Sequence, residues 1–154
     1  MTEMEMKITP IKNGTVIDHI SAGQALNVLK ILGIYHTTDA TISVLMNVTS
    51  RNLGKKDIVK VEMRELEVGE VNKIALIAPG ATINIIRDYG VAEKYAVDMP
   101  DLIVGVVRCP NHNCISNTDE PIKSRFLVKN KNSVVLRCLY CEQTITENIA
   151  DYLI

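Results

Sequence analysis

The apolar positions of the first two-thirds of the chain switch period several times. Val16, Ile17 and Ile20 fall in a short run opened by Gly14, which predicts a strand over residues 15–20. Ser21 then reads as a helix cap, with Gln24 three residues on to complete a capping box. Ala22, Ala25, Leu26 and Leu29 keep the i, i+3, i+4, i+7 spacing of a helix, and Gly33 ends it. Ile42, Val44, Met46 and Val48 alternate with Thr41, Ser43 and Asn47, the pattern of a half-buried strand. Asn52, Leu53 and Gly54 form a turn, after which Val59, Val61 and Met63 alternate with Lys60, Glu62 and Arg64. A second helix carries Val71, Ile74, Ala75 and Ala78 and stops at Pro79. Strands over 82–87 and 91–97 join around Asp88, Tyr89 and Gly90. The order is βαββαβ with an extra strand, a ferredoxin-like split βαβ. Its helices cover one face of the sheet and leave the other free for a ligand or partner.

The last third reads differently. Residues 102–107 form a nearly continuous apolar strand, 124–128 and 133–137 a hairpin around 129–132, and 145–153 a short helix or strand. Pro100 cannot donate to a ladder and marks a boundary. The class is therefore α+β, with domains at 1–99 and 100–154. The second, of about 55 residues, buries little core of its own. It also holds every cysteine: Cys109, Cys114, Cys138 and Cys141, spaced C-x4-C, 23 residues, C-x2-C. Pro110, Asn111 and Asn113 suit a tight knuckle. Four thiolates close a tetrahedral zinc site with no open position, so the metal is structural and not catalytic. Competition from His112 as a ligand is disfavoured, because the thiolates already saturate the ion. Cys138-x-x-Cys141 lacks the βαβ setting of a redox motif.

Composition narrows the function. Seventeen Lys plus Arg against 18 Asp plus Glu leave a net charge of −1, which excludes holding nucleic acid by bulk charge. Aromatics are 4%, with one Phe and no Trp, so the core is aliphatic. The rival reading, an RNA-binding protein with a zinc ribbon and a ferredoxin-like fold, needs aromatics on the open face and a basic stripe. No apolar stretch is long enough to span a membrane and the first ten residues are no signal sequence, so a cytoplasmic location is expected. In that compartment four cysteines favour a metal over disulfides. There is no G-x-S-x-G, no H-E-x-x-H and no Gly-rich phosphate loop. Asp18 and His19 are neighbours in a strand, so they are expected on opposite faces and unable to pair. His36 reads as a surface histidine in a polar loop. The chain is therefore expected to be a non-enzyme. Lys55 and Lys56 open a strand, Lys60 shares the face of Lys56, and Lys94 lies in the last strand of the sheet. Such lysines are ordinarily a solvated edge; the functional alternative is a cradle for a polyphosphate.

Five segments carry a resemblance: GTVIDHI at 14–20, GKKDIVKVE at 54–62, LIAPGATINII at 76–86, CPNHNCIS at 109–116 and RCLYCE at 137–142. In order and in register, they resemble the regulatory chain of aspartate carbamoyltransferase. The resemblance implies a chain without an active site, in which an allosteric nucleotide domain precedes a zinc domain that docks on the catalytic chain. It implies homodimers of regulatory chains, three of which join two catalytic trimers. It implies control of pyrimidine biosynthesis, with CTP as inhibitor, ATP as activator and UTP acting with CTP in some members. Carried over by position, the nucleotide-site residues are Ile11, Asp18, His19, Lys56, Lys60, Asn84, Ile86, Tyr89, Val91 and Lys94. Pro10 departs from the pattern, because it offers no N–H where the family's backbone reads the base.

Overall fold

The computed structural model describes residues 11–34, 39–51, 54–118 and 122–154. Pro10, His36, Asn52 and Leu53 lie outside the described residues. Seven elements build the first sheet: β1 (Gly14–Ser21), α1 (Ala25–Ile31), β2 (Ile42–Ser50), β3 (Gly54–Glu62), α2 (Val68–Ile77), β4 (Thr82–Arg87) and β5 (Gly90–Ala96). The strand order is β2-β3-β1-β4-β5, antiparallel throughout. The first four strands and two helices are the expected split βαβ, and β5 is the extra strand.

The helices share one face. Ala25 and Val28 of α1 and Ile74 and Ala75 of α2 are buried in one cluster with Ile17, Val59, Val61, Ile83 and Ile85. Along β3 the residues Asp57, Val59 and Val61 are buried, while Lys56, Ile58, Lys60 and Glu62 between them are only half-buried. Period two thus sorts β3 into a core face and a helix-free face. Gly14 has a reason to be glycine: φ is +154°, and a Cβ would sit 2.2 Å from the Val61 carbonyl oxygen.

A second antiparallel sheet runs β6 (Leu102–Val104), β7 (Arg125–Asn130), β8 (Val135–Cys138) and β9 (Thr144–Ile145). Phe126 is fully buried at its centre. The C-terminal tail holds a short 3-10 turn, Ile149–Tyr152, after β9, so 145–153 contributes both strand and helix. The tail then folds back along the chain. Val107 bridges Leu153, Ile154 N–H donates to Val106 O at 2.8 Å, and Lys73 Nζ on α2 donates to Ile154 O at 3.1 Å.

Several local expectations are corrected. Ser21 ends β1 and caps nothing with its side chain; α1 starts three residues later than a Ser21 cap requires. Its amino end is satisfied instead by Asp57 of β3. Asp57 Oδ2 accepts from Gly23 N–H at 2.9 Å and Ala25 N–H at 3.0 Å, and Oδ1 from Asn47 N–H at 2.9 Å. The face turned to the sheet is Ala25, Val28 and Leu32, three and seven residues apart, which leaves Leu26 of the expected stripe exposed. Met46 sits in a bulge of β2, where the register against β3 shifts between Leu45 and Val48, and it is exposed. Met63 lies just past β3 in the left-handed region and is also exposed. The apolar run 102–107 does not stay extended, because Gly105 at φ +70° turns the chain after Val104.

Candidate metal centre and open sheet face

The C-x4-C knuckle lies after β6, and Asn117 shapes it. Its side-chain N–H donates to Cys109 O at 2.9 Å and Asn111 O at 2.7 Å. The C-x2-C pair closes the turn after β8, where Glu142 N–H returns to Cys138 O at 2.9 Å. Folding the β7–β8 hairpin brings the two knuckles together. All four sulfurs then lie within 4.8 Å of one another. Cys109 and Cys141 Sγ are 3.5 Å apart, and Cys114 and Cys138 Sγ 3.7 Å. An ion with four sulfurs at 2.3 Å in tetrahedral geometry sets them about 3.8 Å apart, so the cage has the size zinc needs. Burial, and then the neighbouring cysteine sulfurs, push the Cys109 and Cys138 thiols up. Cys141, the least buried, is held down to about 7: its partial burial is outweighed by the Gln143 backbone N–H and by Asn111. His112 is not among the clustered ligands.

The register across the first sheet lines up a row on the helix-free face. Lys60 of β3 pairs with Val16 of β1, Val16 with Asn84 of β4, and Asn84 with Lys94 of β5. Asn84 Nδ2 donates to Val16 O at 3.3 Å. At a strand spacing of about 4.7 Å, Lys60 and Lys94 stand about 14 Å apart at the two ends of this row. In a parallel row Gly14 pairs with Ile86 and Ile86 with Val91. Ile11 and Ile86 are buried, yet neither belongs to the main core cluster. Val91 is exposed, as is Tyr89, whose φ is +68° in the β4–β5 turn.

Asp18 and His19 correct their expectation. His19 takes φ +57° at a bulge of β1, where the register against β3 shifts between Ile17 and Ile20. The extra residue breaks the alternation, so both side chains come to one side. His19 Nδ1 lies 3.8 Å from Asp18 Oδ1 and 3.1 Å from Thr82 Oγ1. Lys56 Nζ, which the lysine pattern offered as a free charge, is 2.9 Å from Asp18 Oδ1. Partial burial would raise the Asp18 carboxyl, but Lys56 and the His19 N–H outweigh it and hold it below the usual carboxylate range. Among the described residues Lys60 and Lys94 have no ion-pair partner. Thr82, which steadies the His19 ring, leaves no mark in the local sequence, since only the β1–β4 register brings the two together.

Two family models match the chain. Residues 6–98 fit "Aspartate carbamoyltransferase regulatory chain, allosteric domain", and residues 101–151 fit "Aspartate carbamoyltransferase regulatory chain, metal binding domain". The chain belongs to the aspartate carbamoyltransferase regulatory chain family. A regulatory chain from Methanothrix thermoacetophila is 75% identical over 154 residues, covering 100% of both chains. One from Methanoculleus marisnigri is 58% identical, covering 96% of this chain and 93% of its own. A third, from Thermofilum pendens, is 54% identical over 99% of this chain and 97% of its own. This regulatory chain is accordingly a non-catalytic subunit whose partner is the catalytic chain of aspartate carbamoyltransferase. Its four-cysteine cluster holds one metal ion, zinc in this family. Among the described residues no helix is long and apolar enough to cross a membrane.

Proposed function

We propose that the helix-free face of the five-stranded sheet binds a nucleoside triphosphate, and that the metal-binding part carries the consequence to catalytic trimers. The observation that supports this most is the row Lys60–Val16–Asn84–Lys94, with a lysine at each end that has no ion-pair partner among the described residues. Lys94 neutralises phosphate at one end. Lys60 donates to a base carbonyl or the ribose at the other. Asp18, already a carboxylate, accepts from the sugar hydroxyls, and Lys56 turns part of its charge from Asp18 toward the phosphates. His19 contacts phosphate from the bulge. Ile11, Ile86 and Val91 enclose the base by apolar contact, with Tyr89 and Asn84 at its margin.

CTP as inhibitor and ATP as activator share this one site, and UTP acts with CTP there. Residues 1–99 form the nucleotide domain and 100–154 the domain that touches the catalytic chain. Regulatory chains pair as homodimers and three such dimers join two trimers in the cytoplasm. Because the regulated active site belongs to another polypeptide, the effector acts through its differential affinity for two states of the assembly.

Calorimetry on the zinc-loaded chain tests the site. CTP and ATP are expected to compete with one another. Lys94→Ala weakens both by roughly 10–100-fold, because a charged hydrogen bond is worth about 1.5–3 kcal/mol and phosphate is common to both. Lys60→Ala changes the ratio between them. Two independent sites, or unchanged affinities in Lys94→Ala, would contradict the assignment.

A further inference from the structure

A cavity with mixed apolar and cationic walls lies on the other sheet, away from the nucleotide face. It has a volume of about 420 Å³ and is lined by Val104, Gly105, Arg108, Asn117, Lys123 and Ser124, among others. Two of the lining side chains among the described residues are cations and none is acidic, and Ile154, whose main-chain oxygen accepts from Lys73 Nζ, closes one side. Ser124 is 5% exposed, and its Oγ has no hydrogen-bond partner among the described residues. A buried hydroxyl without a partner costs about 1–3 kcal/mol, which a ligand oxygen in this cavity would offset. We propose that this cavity binds a small oxyanion of the phosphate class.

The surroundings fit that chemistry. Gly105 N–H donates to Ser124 O at 2.8 Å, which fixes the serine beside the β6 turn. A Cβ on Gly105 would lie 3.6 Å from Lys123 Cδ, so the lysine stem runs along the glycine. Arg108 stacks 5.8 Å from the Tyr152 ring centroid, and among the described residues its guanidinium donates only a long 3.5 Å contact to Asp151 O, with its other donors available to an oxyanion. Asn117 spends its N–H groups on the cysteine knuckle, which leaves its carbonyl oxygen as an acceptor for a protonated phosphate oxygen. Arg108 belongs to the segment bridged to the C-terminal tail and Lys123 leads into β7. A bound oxyanion therefore ties the tail to the second sheet.

The experiment titrates inorganic phosphate into the full-length zinc-loaded chain, at ionic strength held constant with chloride. Phosphate-31 resonances and the backbone amides of Gly105 and Ser124 are followed together. A Lys94→Ala chain carries the same titration, so that phosphate held on the nucleotide face is not counted. Saturable shifts at Gly105 and Ser124 are expected in both. Arg108→Gln and Lys123→Gln should each weaken them by roughly 10-fold or more. Ser124→Ala decides between a ligand site and a structural feature. It removes an unpartnered hydroxyl, so thermal stability without phosphate should stay the same or rise, while phosphate affinity falls. Linear, unsaturable shifts, or affinity unchanged in the Arg108→Gln and Lys123→Gln chains, overturn the proposal. Either result leaves the CTP and ATP titrations as they were, so this site can fail without the nucleotide face failing.

Discussion

Replacing Cys114 by serine is expected to empty the metal site and unfold residues 101–154, while the five-stranded sheet keeps its structure. Cys114 is 2% exposed, and its sulfur lies 3.7 Å from that of Cys138. A serine oxygen there is a poor ligand, and three thiolates leave the coordination sphere open. The small sheet rests on one buried phenylalanine and a few aliphatics, so the ion supplies much of what holds it together. Structural zinc contributes about 10–16 kcal/mol in domains of this kind, more than such a core can replace. Metal analysis and amide spectra of the variant check this: zinc absent, resonances of 101–154 collapsed, those of β1–β5 retained. The same site fixes a pH dependence. Burial raises the Cys109 and Cys138 thiols, so protons compete with the ion and binding releases them. The stability that zinc contributes therefore falls as the pH falls. A Cys114→Ser chain that keeps one zinc and still assembles with catalytic trimers would contradict this description.

The second large effect belongs to Asp57. This fully buried carboxylate accepts three backbone N–H bonds, from Gly23, Ala25 and Asn47. It thereby joins β3 to the start of α1 and to the bulge of β2. Asp57→Ala strips three N–H groups of their acceptor; the one at Ala25 is buried, and those at Gly23 and Asn47 can turn to water, so the expected loss is about 2–5 kcal/mol. That is a large part of the stability of an ordinary domain. Asp57→Asn keeps the shape but points an amide N–H₂ at one of the donors, and should cost less than alanine. Urea unfolding of the zinc-loaded chain measures both. Amide exchange should quicken first at Ala25 and Asn47. A loss below about 1 kcal/mol for Asp57→Ala would mean that the three bonds are not what secures this corner.

Asp57 also shows where local pattern reading stops. The order of strands and helices in the first sheet, the α2 stripe of Val71, Ile74 and Ala75, and the β4–β5 turn are all legible, because each is set by residues close in sequence. The capping box at Ser21 is not what forms, since a carboxylate 32 residues beyond Ala25 takes the role. Local chemistry offered Ser21 and Gln24; tertiary structure supplied something stronger. Met46 and Met63 follow an alternating pattern that a bulge and a left-handed residue interrupt, and neither interruption has a glycine to announce it. Asp18 and His19 fail the same way, because the bulge that pairs them is a property of the β1–β3 register. The cysteine cluster was legible outright, because knuckle spacing is itself the geometry. The lysine face was half legible. Period two placed Lys56 beside Lys60, but only the register reveals that Lys56 is paired with Asp18 while Lys60 and Lys94 have no ion-pair partner among the described residues.

Nucleotide on the helix-free face is expected to govern a catalytic chain that binds elsewhere on this subunit. Aspartate saturation curves of the reconstituted enzyme test it most directly, with catalytic trimers joined either to the native chain or to one carrying Lys60→Ala and Lys94→Ala. Neither substitution touches the cysteine cluster, so both chains should assemble. A coupling of about 1–3 kcal/mol would shift the half-saturating aspartate concentration about 5–150-fold. CTP is expected to move the curve of the native assembly and to leave that of the doubly substituted assembly in place. A CTP shift of equal size in both assemblies would contradict it.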